Sequence, residues 1–143
     1  MVILDTNHIS ILERRGVDTR RLMIRLSEIP VSDVHVTVIS YEEQIRGWTA
    51  AIAATKNSAA QVLLYARLQT QLENYFNLSI LPYTLEAATQ FEALRKQHRR
   101  LSSPDLKIAS IALVNDALLL TQNERDFRSI AGLTTEDWTR GRV

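Results

Sequence analysis

The sequence predicts an α/β domain with a central, mainly parallel sheet of four to five strands flanked by helices. Short apolar runs of strand length recur along the chain, and stretches with apolar residues at helical spacing separate them. No internal repeat, linker or low-complexity tract divides the 143 residues. Strands that alternate with helices imply parallel pairing through right-handed crossovers. A chain of this length buries roughly 68–70% of its unfolded surface around one core, so a single domain over residues 1–143 is expected.

Val2-Ile3-Leu4 is an apolar run that stops at Asp5, and Thr6 or Asn7 can cap the helix that Ile9, Ile11 and Leu12 mark. Asp18 opens a second helical stretch through Leu22, Met23, Leu26 and Ile29, and Pro30 closes it. His35 to Ile39 is short and β-branched and reads as the second strand. Helical spacing resumes from Ser40 through Tyr41, Ile45 and Trp48, with Gly47 as an internal breaker. Val62, Tyr65, Ala66, Leu72 and Phe76 then mark a longer helix, so a helix pair is expected beside the sheet.

Leu78 to Leu81, stopped by Pro82, is the third strand. Leu85, Ala88, Phe91 and Leu94 mark a helix that ends in Arg95-Lys96-Gln97-His98-Arg99-Arg100, whose positive charges suit a helix C-terminus. In Ser102-Ser103-Pro104-Asp105 either serine can cap, and Pro104 fits a first turn. Ile108, Ile111, Ala112 and Val114 carry that helix inward. Ala117 to Leu120 is the fourth strand, with Thr121-Gln122-Asn123 leaving its carboxyl end, and Gly132 to Val143 adds an edge strand or a loop around Trp138.

With 45% hydrophobic and 23% charged residues, the composition is that of a folded globular protein rather than a disordered one. The absence of cysteine excludes disulfides, thiolate metal sites and a cysteine nucleophile, and suits a reducing cytoplasm. No apolar run approaches the ~20 residues of a membrane span, and Asp5 interrupts the first apolar run too early for a signal-peptide core. A cytoplasmic protein without membrane association is expected. A net charge of +1 gives no global argument for nucleic acid, so any such argument rests on local clusters such as Arg95 to Arg100.

Polar residues just past apolar runs are the place to look for chemistry, because ligands gather at the carboxyl ends of parallel strands. Asp5 and Asn123 stand there, Glu42 and Glu43 lie about one helical turn past the second strand, and Asp105 opens a helix. Carboxylates about 4 Å apart repel by roughly 4 kcal/mol at an effective dielectric near 20, so a cluster of three needs a cation or a proton. Oxygen donors select a hard metal, Mg²⁺ or Mn²⁺. The plainer alternative is that Asp5 and Asp105 cap helices and that Glu42 and Glu43 form a solvated face. His8, His35 and His98 lack ligand spacing and read as structural or surface residues; Tyr65, Tyr75 and Phe76 read as core or dimer packing. No Gly-x-Ser-x-Gly or phosphate-cradling glycine loop is present.

Four blocks in order, Leu4-Asp5-Thr6-Asn7, Glu43-Gln44-Ile45-Arg46-Gly47, Asp105-Leu106-Lys107-Ile108-Ala109-Ser110 and Thr121-Gln122-Asn123-Glu124-Arg125-Asp126-Phe127, resemble those of the PIN-domain family. The ending from Gly132-Leu133 to Asp137-Trp138 is similar to that of VapC-like toxins. The resemblance implies a PIN-like fold with an acidic pocket that holds one or two Mg²⁺ or Mn²⁺ ions and cuts RNA. It gives Asp5, Glu43 and Asp105 the core acidic roles, with Glu43 preferred to Glu42 for its spacing from Gly47. Asn123 stands where many members carry a fourth acid, a departure for which Asp126 can compensate. Thr6, Asn7 and Thr121 would orient the acids, as residues behind metal ligands do. Arg95, Lys96, Arg99 and Arg100 would bind RNA phosphate or simply form a solvated helix end.

The resemblance further implies a homodimer silenced by a cognate antitoxin protein. Two rivals stand beside it. A phosphatase of the haloacid-dehalogenase type would also place an aspartate after the first strand, but needs a second one where Asn7 stands. A PIN-like RNA-binding module weakened by Asn123 is the other, and Asp5, Glu43 and Asp105 argue against it.

Overall fold

β1 (Val2–Leu4), β2 (Val34–Thr37), β3 (Ser79–Leu81), β4 (Leu118–Leu120) and β5 (Thr135–Glu136) form one sheet in the order β3-β2-β1-β4-β5 in the computed structural model, which describes residues 1–141. Every neighbouring pair is parallel. β1 lies at the centre with all three residues buried, as expected of a strand covered on both faces.

The side-chain alternation of a strand divides the core in two. Ile3 and Leu119 point to one face, where Ile39, Phe91, Leu94, Leu106, Ile108 and Ile111 cover them. Val2, Leu4, Val36 and Leu120 point to the other, against Ile9, Leu22, Tyr75 and Trp138. The first face is built by the start of α3 (Val38–Ala54), by α5 (Leu85–Gln97) and by α6 (Ser103–Val114); the second is built by α1 (Thr6–Leu12), α2 (Val17–Leu26) and the end of α4 (Ser58–Phe76). A short α7 (Glu124–Phe127) leads from β4 toward the edge strand.

The expected fold class holds, and the departures are local. The second strand stops at Thr37 rather than Ile39, because the Thr37 hydroxyl accepts from the Ser40 N–H at 3.2 Å and turns Val38 and Ile39 into the first turn of α3. Asp5, not Thr6 or Asn7, caps α1. Gly47 does not interrupt α3, which runs unbroken for 17 residues. On α5 it is Ala87 rather than Ala88 that reaches the core, and Leu85 is exposed. Of the three aromatic residues expected to pack, Tyr75 is buried while Tyr65 and Phe76 are exposed. The edge strand is present as β5, and Trp138 packs in the second core; Arg142 and Val143, the end of that segment, lie outside the described residues. No helix among the described residues is long and apolar enough to cross a membrane.

Candidate active site

β1 and β4 deliver their first polar residues side by side. Asp5 follows β1 directly, and its N–H donates to the Leu120 carbonyl at 3.0 Å, so the sheet ladder fixes its backbone. Its extended φ and ψ of −72° and 171° turn the chain into α1, and its Oδ1 accepts from the His8 N–H at 2.8 Å. Thr121 follows β4, is fully buried, and accepts at Oγ1 from the Asn123 N–H at 3.0 Å. The Asn123 amide donates in turn to Asp126 Oδ2 at 2.6 Å. Asn123 and Asp126 are therefore joined directly in one turn.

The early turn of α3 supplies Glu43. The Thr6 hydroxyl donates to its Oε1 at 2.7 Å and lies 3.0 Å from the Ser40 hydroxyl. Glu42 points outward instead, in an exposed pair with Arg46 at 3.1 Å, which supports the choice of Glu43. Asp105 sits in the first turn of α6, where its N–H donates to the Ser102 cap at 3.2 Å.

The charges of these groups act on one another. Burial pushes the Glu43 carboxyl up from its ordinary value; the Asp105 and Asp5 charges push the same way, while the Thr6 hydrogen bond and Arg46 oppose them. Burial likewise raises Asp105, aided by Asp5 and Asp126 and opposed by a hydrogen bond from Ser102. Asp5 is thus the common neighbour of Glu43 and Asp105, and Asp126 joins from the β4 side. Among the described residues no three acidic or histidine side chains stand close enough to grip one ion directly. Two open cavities lie elsewhere, one of about 600 Å³ against α1 and α2 and one of about 730 Å³ between α1, α3 and α4.

Other expected residues fall differently. Asn7 is exposed and makes no hydrogen bond to Asp5, so an orienting role for it finds no contact here, and Thr6 holds Glu43 rather than Asp5. Arg95, Lys96, Arg99 and Arg100 are exposed around the end of α5, with Arg95 paired to Glu92 at 2.8 Å. His8 is fully buried, as a structural histidine is, with Nδ1 3.2 Å from Asp5 Oδ1 and Nε2 3.7 Å from Asp137 Oδ1. Its position three residues after a capping aspartate is the sequence feature that could have drawn notice, since that spacing faces a cap.

A PIN-domain profile matches residues 2–133. The chain is similar to the ribonuclease VapC1 of Haemophilus influenzae (strain R2866), with 31% identity over 139 residues, 96% of this chain and 98% of that protein. Among solved structures, it superposes on a chain of VapBC-1 from nontypeable Haemophilus influenzae with a TM-score of 0.70 and 25% identity, covering 98% of this chain and 100% of that one. It also superposes on a chain of VapBC-5 from Mycobacterium tuberculosis, a member of the VapBC family of toxin-antitoxin systems, with a TM-score of 0.63 and 20% identity, covering 94% and 96%.

Proposed function

Because this chain belongs to the PIN-domain family, alongside the VapC ribonucleases, we propose that it is a Mg²⁺- or Mn²⁺-dependent endoribonuclease and the toxin of a toxin-antitoxin pair. The observation that carries the catalytic part is the hydrogen bond by which Thr6 seats Glu43 next to Asp5 at the carboxyl end of the sheet, where Asp105 and Asp126 add like charge. Like charges that raise one another's affinity for protons are relieved by a cation. The donors are all hard oxygens, which suits Mg²⁺ or Mn²⁺. The spread of the carboxylates is compatible with Mg²⁺, which keeps several waters and needs only one or two protein carboxylates.

Asp5, Glu43 and Asp105 would hold the hydrated ion, one or two of them directly and the rest through its waters. When bound, it neutralises phosphate charge and makes a water nucleophilic near neutral pH. Thr6 fixes Glu43 Oε1 and leaves Oε2 for the pocket. That oxygen would ligate the ion or hydrogen-bond one of its waters, orienting it toward the phosphate. Ser102 steadies Asp105, and Thr121 steadies the turn bearing Asn123 and Asp126. Exposed Arg99 and Arg100 can contact the RNA backbone near Asp105.

The names of the relatives support a cognate antitoxin as partner, and the exposed apolar side chains of α4 are compatible with a homodimer. An RNA substrate supports a cytoplasmic location, with which the cysteine-free chain is compatible. The phosphatase alternative lacks its second acid, since Asn7 stands exposed in that place. Cleavage of single-stranded RNA by the purified protein should appear with Mn²⁺ and vanish with EDTA. No cleavage of any RNA at millimolar Mn²⁺ would overturn the reading.

A further inference from the structure

We propose that His8 is the positioning residue of Asp5, fixing one carboxylate oxygen so that the other faces the pocket, and that Asp137 backs the imidazole from the edge of the sheet. The proposal rests on the metal-pocket reading above and concerns residues outside its acidic set.

His8 lies in the first turn of α1 and has no solvent exposure. Asp5 Oδ1 accepts from the His8 N–H at 2.8 Å, and Nδ1 of the same residue lies 3.2 Å away. One residue therefore addresses Oδ1 twice, with backbone and ring. No such bond engages Oδ2, and the Asp5 charge acts on both Glu43 and Asp105.

The far side of the ring meets a second buried carboxylate. Asp137 has a side chain only 2% exposed, and its Oδ1 stands 3.7 Å from His8 Nε2. Asp137 is itself held in place: Oδ1 accepts from the Thr139 N–H at 2.9 Å and from the Thr139 hydroxyl, and Arg140 Nε lies 3.0 Å from Oδ2. Gln122, beside Thr121 at the end of β4, donates to the Thr139 hydroxyl oxygen at 3.1 Å. The chain from Asp137 through His8 to Asp5 thus ties the segment after β5 to the acid after β1.

His8 Nε2 is buried with no hydrogen-bond partner among the described residues, and a buried polar atom left unpaired is destabilising. An apolar side chain in the same space would avoid that penalty. What an apolar residue cannot do is donate to Asp5, as His8 does when its ring carries a proton on Nδ1, and residues that orient a metal ligand typically change metal affinity by 10–100-fold when lost.

The test compares wild type with His8→Val, His8→Asn and His8→Gln by calorimetric Mn²⁺ titration, metal-free melting and RNA cleavage. Val removes both ring nitrogens; Asn keeps a donor near the position of Nδ1, toward Asp5; Gln keeps one near Nε2, toward Asp137. His8→Val should bind Mn²⁺ about 10–100-fold more weakly and lose kcat with little change in KM, the metal-free melt confirming that it is folded. His8→Asn should recover most of the affinity and His8→Gln should not. Equal Mn²⁺ affinity in His8→Val and wild type overturns the proposal, and so does equal affinity in His8→Asn and His8→Gln. The second comparison decides the matter if His8→Val does not fold. Asp105→Asn, titrated alongside, separates the two layers. If wild type binds no Mn²⁺, or Asp105→Asn binds it equally well, the pocket reading falls and this proposal with it. If Asp105→Asn loses affinity and His8→Val keeps it, only the role of His8 is wrong.

Discussion

α6 and α4 are both rich in apolar residues, yet they sit in the molecule in opposite ways. α6 buries Leu106, Ile108, Ala109, Ser110, Ile111 and Ala112 along 12 residues. α4 is longer, at 19 residues, but only Gln71 and Tyr75 are buried, and Val62, Leu63, Tyr65, Leu72 and Phe76 are exposed. Tyr75 anchors its end, donating to Gln44 Oε1 and packing edge-on against Tyr41 at 5.0 Å. The contrast shows where the fold spends its rigidity. Asp105 sits at the start of the helix that is locked on nearly every side, as a charge that must be held against its neighbours requires.

The largest effect should come from breaking the charge at the head of α6. Asp105→Asn should reduce RNA cleavage by about 10²-fold or more, while Glu42→Gln, on the outer face of α3, should leave it within about twofold. The metal-free melting temperature of Asp105→Asn should stay level or rise, because a repelled carboxylate is removed. Cleavage assays on the two variants check this; comparable activity in both would remove Asp105 from the mechanism.

Packing supplies the next contrast. Ile111→Ala in α6 should destabilise the protein by about 2–5 kcal/mol, whereas Leu72→Ala in α4, at 55% exposure, should change it by no more than about 0.5 kcal/mol. Urea denaturation of both variants measures the difference. Similar losses would mean that α4 is covered in solution, as a dimer would cover it.

The same two helices show how far the sequence could be read. α6 was legible because Ser102, Pro104 and a dense apolar run agree on one answer. α4 was legible as a helix, but helical spacing alone does not tell a buried stripe from an exposed one, and Tyr65 and Phe76 fall on the outside. The end of β2 was misjudged because Val38 and Ile39 are β-branched, and the Thr37 cap overrides that local preference. Asp5 and Asp105 drew notice by place, one after a strand and one at a helix start, whereas Glu43, inside α3, was singled out by the resemblance of its block. His8 was not, since its role depends on Asp137, which lies far along the chain and reaches it only through the order of the sheet.

A gentler way to sharpen the contrast is to titrate it. Glu43 and Asp105 bind protons more tightly in the folded chain than in the unfolded one. The stability they contribute is fully present below the ordinary carboxylate range and is lost as pH rises through their raised values. Without metal, wild type should therefore lose melting temperature relative to Asp105→Asn over that rise. Saturating Mn²⁺ should remove the pH-dependent loss in wild type, adding about 2.7 kcal/mol at a hundredfold excess over Kd, while Asp105→Asn, with its weaker affinity, gains less. Melts in EDTA and in Mn²⁺ across acid to neutral pH test this. Parallel wild-type and variant curves in EDTA would contradict the coupling.

The smallest effect is expected where the site departs from its family. The Asn123 amide donates to Asp126 Oδ2 at 2.6 Å, so in the folded protein it quiets a carboxylate that also acts on Asp105. Asn123→Asp replaces that donor with a second acid. Two carboxylates then face each other on a partly exposed turn, and the metal-free protein should lose up to about 1 kcal/mol, the scale of surface charge pairs. If residue 123 lines the pocket, the added charge should also tighten Mn²⁺, because a hard cation gains from one more anionic oxygen. Asp126→Asn is the counterpart, removing charge at the same corner, and it should weaken Mn²⁺ binding. Calorimetric titration and metal-free melting on both variants separate the cases. If Asn123→Asp loses stability but leaves affinity unchanged while Asp126→Asn lowers affinity, then Asp126 holds the fourth acidic role and Asn123 serves only to orient it.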